Sequence, residues 1–228
     1  MRLAITIAAV AAALSVSASA ATLLSNTFAD FEIQRFNTQP SEFTGGPREA
    51  GVDGDSVIFT STNSSSVFAY EFAYSLNTNG AWGGGRRGFV GLNAPFGTVT
   101  FTFDRPVSGV GGLFNYAPPF TSNGEAIIRV LGEQGGVLET WNLSLDAPIE
   151  TPDGIDRGAF RGFERSRADI YALEISNAFI VVDNLVWSRD NADAPVPIPA
   201  AGWLFGLILS GLGFLRRQRS LTGLNQVH

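Results

Sequence analysis

An all-β sandwich or barrel is the fold this sequence predicts, and three features carry that reading. Helical periodicity is nearly absent between the two ends of the chain. Apolar and polar residues alternate at period two in run after run. Gly-, Asn- and Pro-rich turns separate those runs at short spacing. Such spacing builds sandwiches and barrels rather than parallel βαβ units. A chain of 228 residues is one domain in size.

Asp30 to Phe36 supplies a first strand, Ser56 to Thr60 a second and Val67 to Leu76 a third. Thr98 to Asp104 alternates most cleanly: Val99, Phe101 and Phe103 point one way, the threonines and Asp104 the other, and Arg105-Pro106 stops the run. Ile127 to Leu131 and Val137 to Leu143 flank Gly132-Glu133-Gln134-Gly135-Gly136, which reads as a hairpin. Next, Tyr171, Leu173 and Ile175 alternate with Ala172, Glu174 and Ser176. Phe179 to Trp187 is more continuously apolar, as a strand in the middle of a sheet is. The sixteen Phe between residues 21 and 193 can fill a large core, so stability at this size needs no disulfide, and the chain has no cysteine.

The two ends are of another kind. Arg2, the apolar stretch Leu3 to Leu14 and the small-x-small site Ala18-Ser19-Ala20 read as a secretory signal peptide over residues 1–20, cleaved between Ala20 and Ala21. Near the other end, the 20 residues from Val196 to Leu215 carry no charge, which is long enough for a membrane-spanning helix. Arg216, Arg217 and Arg219 follow and anchor that end in the cytoplasm, leaving the body outside. The body thus covers 21–190, residues 191–195 are a linker, and 220–228 are a cytoplasmic tail.

Trimming the ends changes the charge. All 15 cationic residues are Arg; eleven of them stand against all 21 Asp and Glu within residues 21–193, a net charge of −10 compared with −6 for the whole chain. That balance speaks against nucleic acid or an anionic membrane surface as partner. The single histidine is His228, beyond the helix. A body without His or Cys excludes Ser-His-Asp and Cys-His catalysis and the zinc, copper and iron sites those residues build. Gly83-Gly84-Gly85 precedes Arg86-Arg87 rather than opening a strand-to-helix turn, so phosphate-loop chemistry has no support either.

Pro195-Val196-Pro197-Ile198-Pro199-Ala200-Ala201-Gly202-Trp203, then the apolar run, then Arg216-Arg217-Gln218-Arg219, resembles a PEP-CTERM sorting signal, here over 196–219. The sorting motif is Val196, Pro197, Ile198 and Pro199, close to a Val-Pro-Leu-Pro-Ala-Ala form; the literal Pro-Glu-Pro is absent. The resemblance implies an exported protein of a Gram-negative envelope. Signal peptidase and a membrane transpeptidase, exosortase, would be its processing partners. Its precursor would be anchored in the inner membrane, and its mature form would sit at the cell surface or be secreted into a polysaccharide matrix.

The body is similar, over short stretches, to jelly-roll domains found ahead of such tails. The carrying residues are Gly97 to Phe103 with Pro106-Val107, Gly109 to Phe114, Phe160-Arg161-Gly162-Phe163 and Val182-Asp183-Asn184-Leu185-Val186-Trp187. The fold so implied is a single antiparallel β-sandwich of jelly-roll type. It brings calcium into view as an ion for Asp183, with a loop-capping hydrogen bond as the other role; no further cofactor is implied.

Other candidates stay two-sided. Phe68, Tyr70, Phe72 and Tyr74 share one strand face, fit to stack on sugar rings or to be buried as core, with Glu71 opposite them. Asp53-Gly54-Asp55 and Asp153-Gly154-Ile155-Asp156 read as turns before they read as calcium loops. Arg157, Arg161, Arg165 and Arg167 are interleaved with Asp156, Glu164 and Asp169, as on a charge-paired surface; binding of an acidic polysaccharide is the alternative. The expectation is a noncatalytic surface or matrix protein. A carbohydrate-binding module, with no ligand-binding residue singled out, is the first alternative. A carboxylate-based hydrolase is the second, though no pair of acids stands out.

Overall fold

The computed structural model describes residues 22–24, 32–34, 36, 39–52, 55–118 and 122–189. The signal peptide with its Ala20–Ala21 cleavage site, Asp53-Gly54, the linker and the whole sorting signal lie outside the described residues. Within them the chain is all-β, with two large antiparallel sheets packed face to face.

The first sheet runs in the order β1 (Thr22–Leu24), β14 (Ala159–Glu164), β11 (Gly109–Asn115), β16 (Val181–Ser188), β9 (Phe89–Gly91), β6 (Val67–Tyr70), β3 (Glu42–Phe43), and β2 (Glu32–Gln34) also pairs with β16. The second runs β13 (Val137–Asn142), β12 (Ile127–Leu131), β15 (Ile170–Ser176), β10 (Thr98–Val107), β5 (Asp55–Ser61), β4 (Arg48–Val52). A separate two-stranded ribbon joins β7 (Tyr74–Ser75) and β8 (Ala81–Trp82). Alternation makes the core. Val99, Phe101 and Phe103 of β10 face inward and meet Val57 and Phe59 of β5, Leu173 and Ile175 of β15, and, from the first sheet, Phe68, Val110, Phe114, Phe163, Val182 and Leu185. Phe101 and Phe59 are fully buried with ring centroids 6.3 Å apart, and Phe36 and Phe68 complete the ring cluster. On the outer face of the second sheet, Arg129 and Glu174 lie directly opposite each other and form a 2.7 Å ion pair.

Three of the boundaries that differ from the sequence reading have a backbone reason. Arg105-Pro106 does not end β10, which continues to Val107; the pairing with β15 becomes irregular after Thr102 and resumes at Val107, so the missing Pro106 N–H falls in the irregular stretch. The run Val67 to Leu76 is two strands, not one. Ala69 takes φ +52° at a bulge against β9, so Val67, Phe68 and Ala69 are all buried and the alternation breaks. Finally, β16 begins at Val181 rather than Phe179, because Asn177, Ala178 and Phe179 are all left-handed, with φ of 64°, 53° and 51°.

Candidate functional site

The outer face of the first sheet carries a second apolar cluster. Val67, Phe89 and Val181 point outward from their strands, and Tyr74, Leu76 and Trp82 come down on them from the β7–β8 ribbon. The Phe89 ring is packed edge-on by Tyr74 and Trp82 at 5.8 and 5.7 Å. The Tyr74 hydroxyl donates to the Leu92 carbonyl at 2.9 Å, and burial holds its pKa above the ordinary phenol range.

This layer is held down by charge as well as by packing. Asp183 lies on β16 and is 6% exposed. Arg86 donates to it at 2.6 Å, and the Asn184 N–H donates to its other oxygen at 2.7 Å, at a bulge where Asn184 takes φ +48°. The cation this buried carboxylate demands is thus a guanidinium of the chain itself. Arg86 also donates to the Asp156 carbonyl at 2.8 Å and lies 4.8 Å from the centre of the Trp82 ring. Asp156 in turn accepts the N–H groups of Gly83 at 2.7 Å and Gly85 at 2.6 Å. The glycine run is therefore a clamp for this carboxylate and not a phosphate loop. Gly83 sits at φ +110°, and a Cβ there would come within 2.0 Å of the Phe72 carbonyl oxygen. Among the described residues, no group of three acidic or histidine side chains could hold a metal ion.

Behind the ribbon a buried amide network ties three loops together. The Asn79 amide donates to the Asn115 side chain at 3.2 Å and to the carbonyls of Tyr116 and Ile149 at 3.0 and 2.8 Å, and its oxygen accepts the Thr151 N–H. Asn115 donates to the Thr151 hydroxyl and to the Arg157 carbonyl. Trp82 Nε1 also donates to the Arg157 carbonyl. With the backbone bridge of Ile155 to Ala81, these bonds pin the strand-free stretch between β13 and β14.

The remaining sequence candidates are dispersed. Asp55 accepts Trp187 Nε1 at 2.9 Å and pairs with Arg189, which also reaches Asp104 at 3.2 Å. Asp153, at φ +54°, is an exposed turn residue. The four arginines do not form one surface. Arg165 is 4% exposed and ties the end of β14 to the second sheet through Asp169 at 2.6 Å and Glu139 at 3.2 Å. Arg161 spends its donors on the carbonyls of Ala147, Pro148 and Phe160, and burial lowers its pKa. Burial pushes the Asp169 carboxyl up, but hydrogen bonds from Arg165 and Arg167 outweigh it and hold it below the ordinary range. Glu42 is likewise held low, by its hydrogen bonds with Arg48. A general acid needs the opposite shift.

The four aromatics do not share a face. Phe68 is in the main core and Tyr74 in the outer cluster, while Tyr70 is half-buried and Phe72 is 59% exposed. Glu71 is exposed and pairs with Arg87 at 3.7 Å. Phe43, which sequence reading passed over, stands 57% exposed with its ring 5.2 Å from Tyr70. Arg86, Trp82, Asn79 and Asn115 were also passed over, and the one available signal was the pair of arginines after the glycine run. No protein-family model, curated protein or solved structure matches this chain.

Proposed function

We propose that the chain is a noncatalytic exported protein of the bacterial cell surface or extracellular matrix, processed by an exosortase. One observation carries this reading: Pro197-Ile198-Pro199, an uncharged run ending at Leu215, and Arg216, Arg217 and Arg219 occur in the order of a sorting signal, in a chain that also opens with a signal-peptide pattern. The body is read as a jelly-roll-type sandwich. Supporting that finer reading, successive strands from β9 to β12, and again from β14 to β16, cross from one sheet to the other. Four of the carboxylates singled out in the sequence have partners within the fold: Asp183, Asp55 and Asp169 face arginines, and Asp156 holds backbone N–H groups.

Intact mass of the protein made by cells with and without the exosortase tests this. The expected product in the presence of the enzyme begins at Ala21 and lacks the residues beyond the Val196–Pro199 motif; without the enzyme the tail stays attached. Identical masses from the two strains would contradict the proposal.

A further inference from the structure

The outer aromatic cluster does not stop at the ribbon. From buried Trp82 and Tyr74 it passes through Phe89 to Tyr70, 5.6 Å away, and from Tyr70 to Phe43 and Phe72 at 5.2 and 5.4 Å. The inner rings are buried, whereas Phe43 and Phe72 are 57% and 59% exposed. They stand at one edge of the first sheet, Phe43 on its terminal strand β3 and Phe72 in the connection from β6 to β7. Large rings fixed from behind and open in front lose little freedom when a ligand covers them. Beside them Glu71 and Arg87 form an exposed pair. The pair offers a hydrogen-bond acceptor and donors with no net charge.

We propose that Phe43, Tyr70 and Phe72 form an aromatic platform for a neutral polysaccharide, with separate sugar rings meeting the faces of Phe43 and Phe72, whose planes stand 58° and 70° from that of Tyr70. A pyranose ring presents weakly positive C–H groups on its faces, which suit the negative face of an aromatic ring, and hydroxyls at its rim, which suit carboxylates and guanidinium groups. Charge selects the class of chain: the body's eleven arginines against 21 acids repel an acidic polymer. Area argues against a second copy of this protein as the occupant. Two such rings expose roughly 200–300 Å² between them, while a stable protein interface takes about 800 Å² from each partner. The proposal rests on the surface-or-matrix reading for its setting, but the binding itself does not depend on how the tail is processed.

The test is affinity electrophoresis of the full-length protein in mild detergent, through native gels containing hydroxyethyl cellulose, galactomannan, laminarin or alginate. The wild type is expected to be retarded by at least one of the three neutral polymers and not by alginate. The double variant Phe43→Ala/Phe72→Ala is expected to bind that polymer at least about tenfold more weakly. Phe96→Ala, which removes an equally exposed ring (61%) outside the platform, is expected to bind as the wild type does. Thermal melting checks that the double variant is folded; if it melts early, Phe72→Ala alone, in a residue outside any strand, carries the comparison. Absence of retardation in every neutral gel, equal retardation of wild type and platform variants, or a wild-type dimer that the variants dissociate would each overturn the platform. Any of these together with a normally processed tail would sink the platform and leave the surface-protein reading standing.

Discussion

The first sheet carries an apolar cluster on each face, and the two are held by different means. Toward the second sheet, Phe59, Phe101, Val110, Phe163 and Leu185 pack with no polar partner needed, and period-two alternation places them. Toward the ribbon, six buried side chains are too few to hold a layer by packing alone, and polar clamps supplement them: Arg86 on Asp183, Asp156 on Gly83 and Gly85, and Asn79 on Tyr116 and Ile149. The core is thus secured by area and shape, and the outer layer by a handful of directed bonds between residues distant in sequence.

Changes in the main core have the largest expected effect. Phe101→Ala should cost about 4 kcal/mol of global stability through the lost ring and the cavity it leaves, read as a lower urea midpoint at unchanged slope. Arg86→Ala should cost about 3 kcal/mol by leaving Asp183 buried without its cation, but the loss should fall on the ribbon. Arg86→Met with Asp183→Leu should recover part of it, which a thermal melt followed at Trp fluorescence would show. Gly80→Ala should cost about 2 kcal/mol, because Gly80 has φ +87° and a Cβ would lie 1.9 Å from the Gly154 carbonyl oxygen, where the ribbon meets the loop before β14.

Acid should act on the link between the sheets. The folded-state pKa of Asp169 lies below its unfolded value, so its pairing with Arg165 and Arg167 stabilises fully above about pH 4 and is lost as pH falls through the folded pKa. Asp169→Asn should be less stable than wild type at neutral pH and lose less on acidification. Smallest of all, Phe72→Ala should leave stability within about 0.5 kcal/mol, since its ring is mostly in solvent.

What the sequence revealed follows the same division. Strand β10, the β12–β13 hairpin and the mid-sheet position of β16 are written in local alternation and turn residues, and the structure has all three. The bulge at Ala69 is not written there, because its neighbours Phe68, Tyr70, Phe72 and Tyr74 keep a strand's period while the backbone breaks it. Nor could spacing pair Asp183 with Arg86, which lie 97 residues apart, or Asn79 with Ile149, 70 apart. Asp183 was conspicuous as a charge in an apolar strand, and burial explains why it needs a partner, but the partner's identity is a fact of topology. Phe43 escaped notice because a two-residue strand has no period.

Native-state hydrogen exchange of wild type and Arg86→Ala tests the two-region account most directly. The amides of Leu76, Ala81 and Asp156 bond to Gly80, Gly154 and Ala81 across the ribbon. In the variant these amides should exchange faster by a common factor, while those of β10 and β15 keep wild-type rates. Equal acceleration in both regions would contradict the account, because ribbon and sandwich would then open as a single unit.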